Sequence, residues 1–296
     1  MRLLFGRAFV LWALVIFANQ TPLPAYGPQG REGEPNREQQ WLVPSPLPGQ
    51  PARAVLFRPP GDGPFRLALI AHATTQNMLR RAQMPQPEYR ALAGFLVARG
   101  FAVLVPERLG HGATGGFYLE DQGGCDEADY VNSGRATANE IVSALDYMHH
   151  QPFILKQGGD IIIGHSAGGW GALALARQHP AAIAAIIAFA PGRGGHADDL
   201  ENRICAPLTL LAAATEFGRN ARIPVTWLVA ANDTYFSPEF SRKLADAFRS
   251  GGGKVEFRTL PAFGSEGHWL AESESGVKLA TGGLDGALKL PAVNKR

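Results

Sequence analysis

Apolar residues fall in short blocks along most of this chain, and the blocks alternate with longer amphipathic stretches. Blocks rich in β-branched or apolar residues predict strands at 52–57, 65–71, 101–105, 160–163, 185–189, 225–230 and 254–260. Helical periodicity predicts helices at 88–99, 135–149, 169–178, around 208–217 and at 238–249. The run Pro59-Pro60-Gly61-Asp62-Gly63-Pro64 is a dense turn signal between the first two strands. Ile161-Ile162-Ile163 and the block 183–189 are apolar throughout, as expected of strands covered on both faces. Strands alternating with helices in this way predict a doubly wound, mostly parallel α/β sheet with helices on both faces.

Two ends depart from that pattern. Residues 8–18 are an unbroken apolar run behind Arg2 and Arg7. Such a run is shorter than the ~18 residues that read as a membrane span and suits a signal peptide. Residues 1–25 are therefore expected to be a leader, cleaved after Ala25 or kept as an anchor. Residues 26–50 are rich in Pro, Gly and Gln, and read as an extended, exposed N-terminal segment with Trp41-Leu42-Val43 as its one strand fragment. The domain proper then covers 51–271, and the Gly- and Ser-rich tail 272–296 reads as one weak helix or a loose end.

Composition narrows the function. The 296 residues are 46% hydrophobic, enough for a sizeable core, and no repeat period marks a fibre or solenoid. A formal charge of +2, with no basic stripe, argues against a nucleic-acid partner. Loss of the leader with its two Arg leaves a charge-balanced chain. Cys125 and Cys205 are the only cysteines, with no metal-ligand spacing around either. Each lies in a loop leaving the C-terminal edge of a parallel strand, so in an exported chain a Cys125–Cys205 disulfide is expected on the site's rim. Two buried thiols are the alternative.

Gly164-His165-Ser166-Ala167-Gly168 carries the chemistry. It follows a buried strand and opens a helix, the setting in which a serine on a sharp turn needs small neighbours. The turn aims the Ala167 N–H and the helix N-terminus where a substrate oxyanion would form. A serine hydroxyl becomes nucleophilic only when a histidine takes its proton and an acid orients that histidine. Asp233 follows the strand 225–230, and His268 follows the last strand in Gly267-His268-Trp269. Asp233 could instead merely cap the next helix. His179 and His196 precede Asp233, and His165 adjoins Ser166 and should point away from it, so His268 is the expected base.

These motifs, with His72-Ala73-Thr74 after the strand 65–71 and Val105-Pro106-Glu107-Arg108-Leu109-Gly110-His111-Gly112 after the strand 101–105, resemble the α/β-hydrolase superfamily. Within it the chain looks most like dienelactone-hydrolase-related proteins and secreted serine esterases, although true dienelactone hydrolases use cysteine where this chain has Ser166. The resemblance implies an eight-stranded sheet with a minimal cap, and Thr74 as the second oxyanion N–H donor. Ala73 stands where the family often has Gly. It also implies a small-molecule ester substrate, hydrolysed through Ser166, Asp233 and His268 without metal or organic cofactor. Peptidase or acyltransferase chemistry on the same triad, or a silent binding protein of this fold, are the other readings.

Overall fold

The computed structural model describes residues 26–178 and 182–288. The leader expected at 1–25 lies outside them. Nine strands form one sheet: β1 (Gly27–Pro28), β2 (Gln39–Pro44), β3 (Pro51–Phe57), β4 (Arg66–Ala71), β5 (Phe101–Pro106), β6 (Asp160–His165), β7 (Ile183–Phe189), β8 (Val225–Ala230) and β9 (Val255–Leu260). Their spatial order is β1-β2-β3-β5-β4-β6-β7-β8-β9. The first three strands pair antiparallel, and the six from β5 to β9 run parallel. The expected count of eight is thus exceeded by one. The extra strand is the two-residue β1, which pairs Gly27 with Leu42 and Pro28 with Trp41.

Seven α-helices complete the layers: α1 (Met78–Ala82), α2 (Arg90–Val97), α3 (Tyr130–His149), α4 (Ala167–Gln178), α5 (Pro207–Gly218), α6 (Pro238–Ser250) and α7 (Glu274–Leu288). Successive strand residues point to opposite faces, so an apolar strand feeds two cores. Leu67, Leu69 and Ala71 of β4 join one core with α3, α4, α5 and α6, where Trp170, Phe217 and Phe248 are buried. Ala68 and Ile70 join the other, with Leu92 and Leu96 of α2 and Val277, Ala280 and Leu284 of α7.

The segments 26–50 and 272–288 carry more regular structure than their composition indicates. β2 lays six residues against β3, burying Gln39, Trp41 and Val43 while the alternate positions stay half-exposed. The 26–50 segment therefore edges the sheet. Within the tail, Glu274–Leu288 form a helix whose glycines permit close packing. A Cβ on Gly276 would meet the Leu270 carbonyl, and one on Gly283 would lie 2.8 Å from Leu228.

Candidate active site

In this strand order the chain steps from β4 to β5 on one side and from β4's other neighbour, β6, onward, so a crevice opens beyond the C-terminal ends of β4 and β6. Ala71 of β4 is in register with Gly164 of β6. The His72–Thr74 loop and the Ser166 turn accordingly leave from adjoining strands.

Ser166 holds a left-handed φ of 54°, the strained turn expected of its setting. Its N–H donates to the Phe189 carbonyl (2.9 Å), and its own carbonyl accepts from Trp170 (2.9 Å) and Gly192 (3.2 Å). The surrounding glycines are obligatory. A Cβ on Gly164 would lie 2.4 Å from the Gly169 Cα, and one on Gly168 would lie 2.0 Å from the Ala71 carbonyl oxygen. Ala167 is the first residue of α4, so its N–H is one of the unpaired donors at a helix start.

Asp233 and His268 are brought together from the loops after β8 and β9, both nearly fully buried. The His268 Nδ1 and Asp233 Oδ2 are 2.9 Å apart. The other carboxylate oxygen of Asp233 accepts from the Tyr235 (2.9 Å) and Phe236 (2.8 Å) N–H groups, which fixes its plane. Asp233 does not cap α6; Ser237 does. With Nδ1 committed to the carboxylate, His268 keeps its buried Nε2 without a partner among the described residues. His268 and Ser166 line one cleft of about 560 Å³, together with Ala167, Thr74 and both cysteines. Burial lowers the His268 pKa from the usual 6.5, and the Asp233 charge opposes that fall.

The His72–Thr74 loop is braced from below by the segment 105–112. Arg108 donates from its backbone N–H to His72 Nε2 (3.1 Å) and from Nη1 to the His72 carbonyl (2.8 Å). His111 Nδ1 faces the Arg108 and Leu109 carbonyls, so Nε2 is the acceptor for the Thr74 hydroxyl at 2.5 Å. That assignment needs a neutral imidazole, and burial pushes His111 down to about 4. Arg108 is held in turn by a buried Glu120, which also binds Arg193.

Three side chains that the sequence did not single out complete the arrangement. Glu266 accepts from the His268 N–H (2.9 Å) and the Thr234 N–H (3.1 Å), tying the histidine loop to the aspartate loop. Tyr89 accepts from the Ala73 N–H (3.3 Å) and faces His165 Nδ1 (2.9 Å) and Glu272 (3.3 Å). His165 points away from the cleft, as expected, and its Nε2 donates to the His268 carbonyl (2.8 Å). Glu266 lies two residues before His268, the spacing of a side chain that caps a short helical turn, and that was its one signal in sequence. The rings of His196, Tyr235 and His268 stack in sequence, 3.6 and 4.3 Å between centroids. His179 lies outside the described residues. Cys125 and Cys205 are joined, with Cα atoms 5.0 Å apart. Among the described residues no group of three or more His, Cys, Asp or Glu is placed to hold a metal ion.

The family described as serine aminopeptidase, S33 (Hydrolase_4), matches residues 86–219, a range that contains Ser166 and ends before Asp233. Est1E from Butyrivibrio proteoclasticus, solved with ferulic acid, superposes with a TM-score of 0.59 at 15% identity, covering 84% of this chain and 98% of its own. These likenesses show the α/β-hydrolase fold. A cold-adapted esterase from an Arctic intertidal metagenomic library matches with a TM-score of 0.56 at 15% identity over 90% of this chain and 100% of its own. The acylaminoacyl peptidase of Pyrococcus horikoshii gives 0.58 at 11% identity, over 88% of this chain but only 42% of the peptidase. No curated protein matches the sequence.

Proposed function

We propose that this α/β-hydrolase cleaves carboxylic esters through an acyl-enzyme on Ser166. The observation that carries the reading is the His268–Asp233 contact at Nδ1, which leaves Nε2 unpartnered in the cleft that Ser166 lines. His268 takes the Ser166 proton as the hydroxyl attacks the carbonyl carbon, and later gives it to the leaving alcohol. Water then attacks the acyl-enzyme with His268 again as base. Asp233 keeps the imidazole in the tautomer with Nδ1–H and stabilises the imidazolium formed in each half-reaction. The Ala167 and Thr74 N–H groups receive the oxyanion. Esterases of this fold that match over nearly their whole length support an ester substrate. The peptidase matches over less than half of its own length, so amide cleavage is the second reading.

A fluorophosphonate probe tests this directly: it should label the wild type at Ser166 and leave Ser166→Ala unlabelled. Paired p-nitrophenyl ester and p-nitroanilide substrates then separate esterase from peptidase. A protein that takes no label and cleaves neither substrate would be a binding protein of this fold.

The reading extends to the whole chain as a leader at 1–25, a sheet-edging segment at 26–50, a catalytic domain at 51–271 and a terminal helix. The Cys125–Cys205 bond suits an oxidising compartment, consistent with export. Among the described residues no helix is long and apolar enough to cross a membrane.

A further inference from the structure

A second cavity adjoins the cleft, and nothing in the triad chemistry uses it. It measures about 650 Å³, against about 560 Å³ for the cleft that holds Ser166 and His268. Both lie in the size range of small-molecule sites, ~300–1,000 Å³. Thr74, Thr75 and Trp269 line both spaces, so the two adjoin along the Thr74–Thr75 loop and the Trp269 indole. Trp269 is 38% exposed, one of the few large apolar side chains left open to solvent.

The wall of this cavity is mostly apolar, from Met84, Pro85, Pro87 and Ala91, with Tyr89 and Glu272 also lining it. Its other charged residues are already paired. Arg90 binds both Glu38 and Glu88. The Glu272 carboxylate, engaged by Tyr89 and His165, would repel a second carboxylate. An apolar, uncharged group fits this space.

An ester carbonyl bound between Ser166 and the Thr74 N–H has two arms, and the proton path decides which arm goes where. The general acid must lie within hydrogen-bond reach of the leaving oxygen. His268 lines the cleft and not the second cavity. The alcohol arm therefore stays in the cleft beside His268, Tyr235 and His196. The acyl arm is directed the other way, past Trp269.

We propose that the cavity behind Trp269 is the acyl site, and that the enzyme prefers esters of apolar, uncharged acids larger than acetic acid. The inference rests on the ester-hydrolase reading above. It makes Ala91 and Pro87 determinants of acyl size, although neither touches the reacting atoms.

The test fills the cavity from positions remote from the triad. p-Nitrophenyl acetate and hexanoate share one alcohol and differ only in the acyl arm. In the wild type kcat/KM is expected to be about tenfold or more higher for hexanoate, since a few methylenes in an apolar pocket readily discriminate by that factor. Ala91→Trp and Pro87→Trp should each erase that preference while acetate turnover stays within about twofold, which also reports that the variant is folded. A converse series keeps the acyl group acetyl and lengthens the alcohol, and it should respond to neither substitution.

Loss confined to the long-alcohol esters would move the cavity to the other arm and overturn the proposal. So would an unaltered hexanoate preference in both variants with acetate activity intact. Failure of the ester reading itself looks different, because the wild type would then take no fluorophosphonate label and cleave neither acetate nor hexanoate.

Discussion

The His268 imidazole sits in two opposed fields: burial lowers its pKa below 6.5, and the Asp233 carboxylate raises it. In the proposed role of general base it must be neutral, so activity would be present above its folded pKa and lost as pH falls through it. The acid limb of kcat/KM is accordingly expected below pH 6.5, with a level profile around neutrality; a limb centred above pH 7 would contradict the assignment. Asp233→Asn withdraws the raising influence and leaves burial unopposed. It also frees the ring to take the wrong tautomer, so turnover should drop by about 10³-fold or more. Ser166→Ala and His268→Ala should each leave only the catalysis of binding and oxyanion donors, ~10³–10⁴ over water. His165 differs in kind. It holds the His268 carbonyl and reaches no reacting atom, so His165→Ala should cost about a hundredfold or less through misplacement of the base. If His165→Ala were as inert as Ser166→Ala, the base would have been misassigned.

At the scale of elements, one contact sets the site. The start of α4 is pressed onto the end of β4 so closely that a Cβ at Gly168 would lie 2.0 Å from the Ala71 carbonyl oxygen. Gly168→Val must push α4 away from β4, and with it the Ser166 turn away from the His72–Thr74 loop. It is expected to lose fluorophosphonate labelling and several degrees of melting temperature, whereas a variant that labels and melts like wild type would show that the contact is dispensable. The Ser166 turn could be read in advance because a buried strand, a tight glycine turn and a helix start are contiguous in sequence. Asp233 and His268 could be singled out for a related reason: each lies in the loop after a predicted strand, three residues past β8 and eight past β9, and the chain order leaves few candidates. Tyr89, Glu266 and Glu272 gave less away, since their roles exist only once distant loops meet. The same holds at the ends of the chain. β2 alternates buried and half-exposed positions within a Pro- and Gln-rich stretch, and α7 has a glycine-weakened helical signal, so both depend on packing that local propensity does not express.

Two features act on the molecule as a whole, and the first is a buried charge imbalance. Glu120 is clamped between Arg108 and Arg193, which hold it well below the carboxylate range despite its burial. Glu140 has no such partner. Burial and then the Glu120 charge push it up to about 8, while its Oε2 accepts from the Leu109 N–H. Folded, it is protonated at neutral pH; unfolded, it ionises near 4.5. Its contribution to stability is therefore full below pH 4.5 and is lost as pH rises towards 8. Glu140→Gln keeps the acceptor and cannot ionise, so its urea midpoint should fall less between pH 5 and pH 9 than that of the wild type; parallel curves would refute this. The second feature is the Cys125–Cys205 bond, which closes a separation of 80 residues. The chain-entropy account gives about 4–5 kcal/mol for such a loop, as an upper figure. Neither cysteine belongs to a strand, yet both line the cleft with Ser166 and His268. Cys205 also donates its N–H to the Gly194 carbonyl (2.8 Å), on the loop that continues from Gly192 against the Ser166 carbonyl. Reduction thus frees the rim of the site while the sheet keeps every ladder. Reduced protein, or the Cys125→Ser/Cys205→Ser variant, should lose esterase activity on heating at temperatures where far-UV circular dichroism is unchanged. In the oxidised protein the two losses should coincide. Coincident losses in both forms would mean that the bond stabilises the fold globally and leaves the cleft's shape to other contacts.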